Sequence, residues 1–78
     1  MLSIRQIREK FGYDFVGLFS KNGLAQARKD GLWFHVERDG TPAYQVRFDW
    51  VGPFEDGYAT ARVAGTPFQI KPDGSTVA

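Results

Sequence analysis

His35 is the only histidine of the chain, and there is no cysteine. Imidazole catalysis needs an orienting acid and a nucleophile, and an imidazole metal site needs further ligands of its own kind. The pairing derived below gives His35 the neighbours Gln26 and Tyr44, which supply neither. The carboxylates are as unpromising. Asp30, Asp39 and Asp73 each precede a glycine, and Asp-Gly is turn chemistry. A hydrolytic pair would need two carboxylates facing one cleft about 5–9 Å apart, and no pair is marked out for that. These residues predict no catalytic group, no metal ligand set and no cofactor; the chain is expected not to be an enzyme.

What remains is recognition. Asp30-Gly31 reads as a two-residue hairpin loop of type I′, where both central residues take positive φ. That loop sets Arg28 opposite Trp33, Ala27 opposite Phe34, Gln26 opposite His35 and Ala25 opposite Val36. A second loop of the same kind at Asp39-Gly40 would set Val36 opposite Ala43, His35 opposite Tyr44 and Trp33 opposite Val46. Directly opposed residues share a face. One face therefore carries Ala25, Ala27, Phe34, Val36 and Ala43, and is assigned to the core. The other carries Gln26, Arg28, Trp33, His35 and Tyr44, with Val46. These five are the candidate binding residues, an aromatic platform for a sugar, a peptide or another planar ligand. Arg28 over Trp33 would add a cation–π contact of about 0.5–1 kcal/mol. The plainer reading of the same five is cross-strand packing, or contact with another copy.

The element that positions them occurs twice. Tyr13-Asp14-Phe15-Val16-Gly17-Leu18-Phe19 returns at an offset of 35 as Phe48-Asp49-Trp50-Val51-Gly52-Pro53-Phe54. After a one-residue gap near Asn22 the offset is 34. Gly23, Ala25, Ala27, Arg28, Gly31, Phe34, Asp39 and Gly40 then return as Gly57, Ala59, Ala61, Arg62, Gly65, Phe68, Asp73 and Gly74. A period of this length is a repeat architecture of one supersecondary unit. Glycines every six to nine residues and alternating apolar residues make that unit β. With Ala64-Gly65 as the loop, Ala61 meets Phe68 and Ala59 meets Ile70, so the small-against-large face recurs. The other face diverges: Arg28, Trp33 and His35 become Arg62, Pro67 and Gln69. Proline has no N–H for a ladder, so the strand at Pro67 is an edge or is bulged there. Asp14 and Asp49 are expected to accept from nearby backbone N–H groups.

The first dozen residues differ. Ser3 with Gln6 forms a capping box, Leu2 and Ile7 fall at the staple positions, and Gly12 suits the helix end. The spacing predicts a helix over residues 4–11 with Ile4, Ile7 and Phe11 on one face, covering the open edge of the first repeat. The fold class is thus mainly β: a short N-terminal helix, then two antiparallel β-hairpin or meander repeats of about 35 residues. Residues 1–78 form one domain, with 1–12 the capping helix, 13–47 the first repeat and 48–78 an incomplete second. The core is expected at Phe19, Phe34, Val36, Val51, Phe54, Phe68 and Ile70.

Two stretches carry a resemblance. Gly31-Leu32-Trp33-Phe34-His35-Val36 with Asp39-Gly40, and Phe48-Asp49-Trp50-Val51-Gly52-Pro53-Phe54 with Gly57, Ala59, Ala61, Arg62 and Val63, resemble the bacterial WG (KWG) repeat family. The likeness covers about residues 12–74. It implies a β-hairpin repeat array used for binding, and it brings no reaction and no catalytic residues. Pro67 departs from it, standing where the family places Trp.

Charge and length bound the function further. Ten basic against nine acidic residues leave a net charge of +1, too little to draw the chain to nucleic acid or anionic lipid. Arg5, Arg8, Lys10, Lys29, Arg38 and Arg47 are interleaved with acids and form no basic run. The N-terminus has no apolar signal core and no stretch approaches a membrane span, so neither nucleic acid nor membrane is expected as partner and the location is expected to be cytoplasmic. A 78-residue chain without cysteine lacks the usual staples of a small scaffold. Ser75-Thr76-Val77-Ala78 aligns with Thr41-Pro42-Ala43-Tyr44 and stops. The expectation is a non-enzymatic module for protein–protein interaction or scaffolding. It self-associates as a homo-oligomer through the unfinished C-terminal repeat, or binds another protein partner. The alternative is a small-ligand or glycan-binding module on the Trp33, His35 and Tyr44 face.

Overall fold

A computed structural model describes residues 2–77. Helix α1 spans Ile4–Phe11. Its N-terminus is the expected capping box: Gln6 N donates to Ser3 Oγ at 3.1 Å and Ser3 N donates to Gln6 Oε1 at 2.8 Å. Gly12 ends it in the left-handed region at φ 70. Ile7 is completely buried, while Ile4 and Phe11 are half-buried at the margin of the core.

Six strands follow: β1 Phe15–Val16, β2 Ala25–Lys29, β3 Leu32–Val36, β4 Trp50–Val51, β5 Ala59–Val63 and β6 Thr66–Ile70. They form two antiparallel three-stranded sheets, β1-β2-β3 and β4-β5-β6. The β2–β3 register is the one the Asp30-Gly31 loop dictates, from Ala25 opposite Val36 to Lys29 opposite Leu32. Its copy runs from Ala59 opposite Ile70 to Val63 opposite Thr66. Asp30 and Ala64 both sit at positive φ, at 53° and 51°, where a residue with a Cβ is strained. Each receives the same support. Asp14 Oδ2 accepts from Asp30 N at 3.0 Å, and Asp49 Oδ2 accepts from Ala64 N at 2.7 Å. The repeated aspartates therefore brace the far hairpin turn, about fifteen residues away, rather than their own neighbours. Asp49→Ala is expected to cost about 1 kcal/mol. Asp49→Asn, which keeps an acceptor, should lose less, as read from urea midpoints.

The Asp39-Gly40 loop corrects an expectation. It is a three-residue loop, not a two-residue one. Only Gly40 has positive φ. Gly40 N donates to Glu37 O and Glu37 N donates to Thr41 O, which is a type I turn closed by a glycine bulge. Val36 therefore pairs with Pro42, not Ala43. A Cβ on Gly40 would collide with the Phe11 ring, so the close approach of α1 demands glycine as much as the turn does. Asp73-Gly74 repeats the arrangement, with Ile70 opposite Thr76. The alignment of Ala78 with Tyr44 lies outside the described residues.

Beyond Ala43 the chain leaves β3, loops out over 44–47 and returns at Phe48. There Trp33 N donates to Phe48 O at 2.7 Å and Phe48 N donates to Trp33 O at 2.9 Å. This bridge joins the two sheets; Trp33 faces Phe48 rather than Val46, which is exposed. The gap near Asn22 has a similar physical origin. The first unit turns through a three-residue loop closed by Gly23 N to Ser20 O, the second through a two-residue Asp56-Gly57 turn between Glu55 and Tyr58.

Phe34, Val36, Val51, Phe54 and Ile70 are buried as expected, with Ile7, Val16 and the alanines Ala25, Ala27, Ala59 and Ala61 beside them. Phe19 and Phe68 are only half-buried and pack at the edge of the core. Arg38 lies 5.3 Å from the Phe19 ring, and Phe48 packs edge-on to Phe68 at 5.8 Å.

Candidate functional site

The hairpin register does put Gln26, Arg28, Trp33 and His35 on one face of the first sheet. That face is covered at Gln26 and His35. The second unit lies on it, and the proposed platform is the seam between the repeats.

His35 is completely buried. Its Nε2 lies 2.8 Å from Gly52 O and its Nδ1 lies 2.5 Å from the Tyr44 hydroxyl. A carbonyl can only accept, so Nε2 carries the hydrogen and donates. Nδ1 is then the acceptor, and the Tyr44 hydroxyl donates to it. The ring packs on Phe54 at 4.4 Å between centroids. Gln26, the cross-strand neighbour of His35, donates from Nε2 to Val51 O at 2.8 Å. Two adjacent side chains of the first unit thus grip two consecutive carbonyls of the second. Tyr44 is buried and meets Phe48 edge-on at 5.9 Å. Trp33 is half-buried and packs on Phe15 at 5.5 Å.

Arg28 stands apart. It is exposed, and among the described residues it is not placed over an aromatic ring. The cation–π contact expected with Trp33 is replaced by the Phe15–Trp33 pair. Arginine stacking occurs instead at Arg47, 3.8 Å from the Phe34 ring, and at Arg62, 5.2 Å from the Trp50 ring.

Burial sets the electrostatics. Desolvation pushes the His35 imidazole down to about 4, against the smaller opposing effect of its bond to Gly52. Desolvation likewise raises the Tyr44 hydroxyl. His35 is neutral at physiological pH, and both its nitrogens are engaged. Proton transfer to a substrate would require opening the seam. Among the described residues no group of three or more His, Cys, Asp or Glu is placed to hold a metal ion. No helix of the described residues is long and apolar enough to cross a membrane.

Two surface depressions escaped the sequence reading. A cleft of about 750 Å³ lies between the loop Phe19–Asn22 and the turn Pro53–Gly57, two equivalent positions of the repeat. An apolar groove of about 430 Å³ is lined by Ile4, Phe15, Gly17, Leu18, Gln26 and Pro53. Leu18 is 81% exposed at its rim and Phe15 is 43% exposed. The signal was present in the copy comparison: the leucine of the first unit is Pro53 in the second.

The model of the WG containing repeat family matches residues 10–33 and 36–66. No curated protein and no solved structure matches the chain.

Proposed function

We propose that this chain, which belongs to the WG containing repeat family, is a non-enzymatic module that binds protein surfaces and associates with its own copies. His35, with Gln26 and Tyr44, is used inside the molecule, in the seam, and the repeated aspartates brace turns. Two exposed apolar side chains, Phe15 and the most exposed of all, Leu18, line one apolar groove, and that observation carries the reading. A small monomeric domain gains nothing from exposing Leu18 and Phe15 side by side unless something covers them. The groove is hydrophobic where a pocket for sugars or metabolites would need convergent polar groups. Within the seam, the alternative of a ligand or glycan platform on Trp33, His35 and Tyr44 finds no open face.

A second copy is the first partner to test. Sedimentation velocity across a dilution series is expected to show a reversible dimer for the wild-type chain. Leu18→Glu places a charge at the groove rim and should weaken that dimer about tenfold or more, with an unchanged melting temperature. A wild-type chain that stays monomeric to millimolar concentration would remove self-association from the reading. The groove would then be tested on other proteins with the same variant as control.

A further inference from the structure

We infer that both ends of the two-unit stack are built to refuse another copy of the same unit, so that copies of this chain do not add head to tail. The internal seam shows what such an addition needs. Among the described residues four hydrogen bonds between units define it: Trp33 N to Phe48 O, Phe48 N to Trp33 O, Gln26 Nε2 to Val51 O and His35 Nε2 to Gly52 O. On β6 the equivalents of Trp33, Gln26 and His35 are Pro67, Thr60 and Gln69. The segment that an incoming copy would offer in place of Phe48–Phe54 is Tyr13–Phe19.

Taken one at a time, three of the four contacts fail. Pro67 has no N–H, so the first is impossible. In the incoming copy Tyr13 N already donates to Arg8 O at the end of α1, at 3.0 Å, so the second is taken. Thr60 offers a short hydroxyl where Gln26 extends an amide across the seam, so the third falls out of reach. Only Gln69 keeps a donor in the place of His35.

The position of the proline supports the inference. In the first unit Trp33 N points away from β2, toward Phe48. The N–H missing at Pro67 would point the same way, outward from β5, so the β5–β6 ladder loses nothing by it. An edge strand with free donors is a template for further pairing, and a proline facing outward blunts it. A contact of this head-to-tail kind closes into a ring or, where its rotation does not close, propagates into fibres. The inference reverses the expectation that the second repeat is completed in trans by another copy. The groove shares Phe15, Gly17 and Leu18 with the segment Tyr13–Phe19, but a closed pair formed groove to groove does not use β6.

The probe for the test is a synthetic peptide of residues 45–54, the segment that docks on β3, free of any helix. It is titrated into the intact chain, and backbone amide shifts over Thr66–Gln69 are followed by NMR. Binding to the wild-type chain is expected to be undetectable. The triple variant Thr60→Gln, Pro67→Trp, Gln69→His restores the first unit's residues and should bind at least about tenfold more tightly. Should that variant fold poorly, Pro67→Ala returns the N–H alone and is expected to give a smaller gain of the same sign. Equal binding by wild type and variants would overturn the inference, as would no binding by any folded variant. Open-ended growth of the wild-type chain in sedimentation would also overturn it, as would a wild-type dimer whose formation shifts the Thr66–Gln69 amides.

Discussion

His35→Ala is expected to cost about 3–4 kcal/mol of folding free energy, the largest loss of any single substitution argued for this chain. The imidazole is completely buried and packs on Phe54 at 4.4 Å. Removing it opens a cavity between the units. It also strips Gly52 O of its donor and leaves the buried Tyr44 hydroxyl without its acceptor. Each orphaned buried group carries a penalty of about 1–3 kcal/mol, and the lost packing adds to it. A small domain has only about 5 kcal/mol to lose, so the variant should be partly unfolded at 25 °C. His35→Gln keeps one donor and some volume, and should fall between. Gln69→Ala, the equivalent position on the exposed face of β6, should change stability by less than about 0.5 kcal/mol. Urea denaturation of the four proteins checks this. A loss below about 1 kcal/mol for His35→Ala would mean that the seam does not hold the units together.

The contrast between positions 35 and 69 also explains how far the sequence could be read. The β2–β3 register was legible because Asp30-Gly31 admits positive φ at both central residues, and a turn of known length fixes every pairing beyond it. The core side of that hairpin followed from Ala27 against Phe34, repeated as Ala61 against Phe68. The helix was legible from Ser3, Gln6 and Gly12 at its ends and from the spacing of Ile4, Ile7 and Phe11 between them. Asp39-Gly40 was misread because the same dipeptide also closes a three-residue loop, with Asp in the ordinary region and only Gly at positive φ. The discriminating signal was the residue after the glycine. Thr41 and Ser75 both donate to the preceding aspartate, from N and from Oγ1 or Oγ, an arrangement a tight I′ turn does not use.

The face of His35 was misread for a different reason. Period-two alternation separates the two faces of one sheet, but it does not say that only one of them is buried. In the first sheet both have buried parts: one packs on the alanine and phenylalanine core with α1, the other is covered by the second unit at Gln26 and His35, while Arg28 stays exposed. The chain did carry a clue. Where the first unit has Gln26, Trp33 and His35, the second has Thr60, Pro67 and Gln69, while the core side is kept. The side that diverges is the side covered in one copy and bare in the other. That comparison locates the seam without locating any ligand.

The buried imidazole makes stability depend on pH in a definite direction. In the unfolded chain His35 titrates near its ordinary 6.5, and in the folded chain burial holds it down to about 4. Between those values the unfolded state binds a proton that the folded state refuses, so stability rises with pH across the window. The contribution is present in full above pH 6.5, declines as pH falls and is spent near pH 4. It amounts to about 3 kcal/mol. Protonation would put a hydrogen on Nδ1, facing the Tyr44 hydroxyl that now donates to it, and a charge whose polar partners among the described residues are that hydroxyl and the Gly52 carbonyl. Asp39 and Asp73 are held below the ordinary carboxylate value by hydrogen bonds from Thr41 and Ser75, so their loss sets in only at the bottom of this window and continues below it. Since there is no second histidine, urea midpoints measured from pH 7.5 to 4 should fall through this window for the wild-type chain and stay nearly flat for His35→Gln. The cost of His35→Ala should shrink in parallel, because at pH 4 the wild type has lost what the variant never had. A wild-type midpoint independent of pH over that range would mean that His35 is charged or hydrated in the folded protein, and that the seam is open to water.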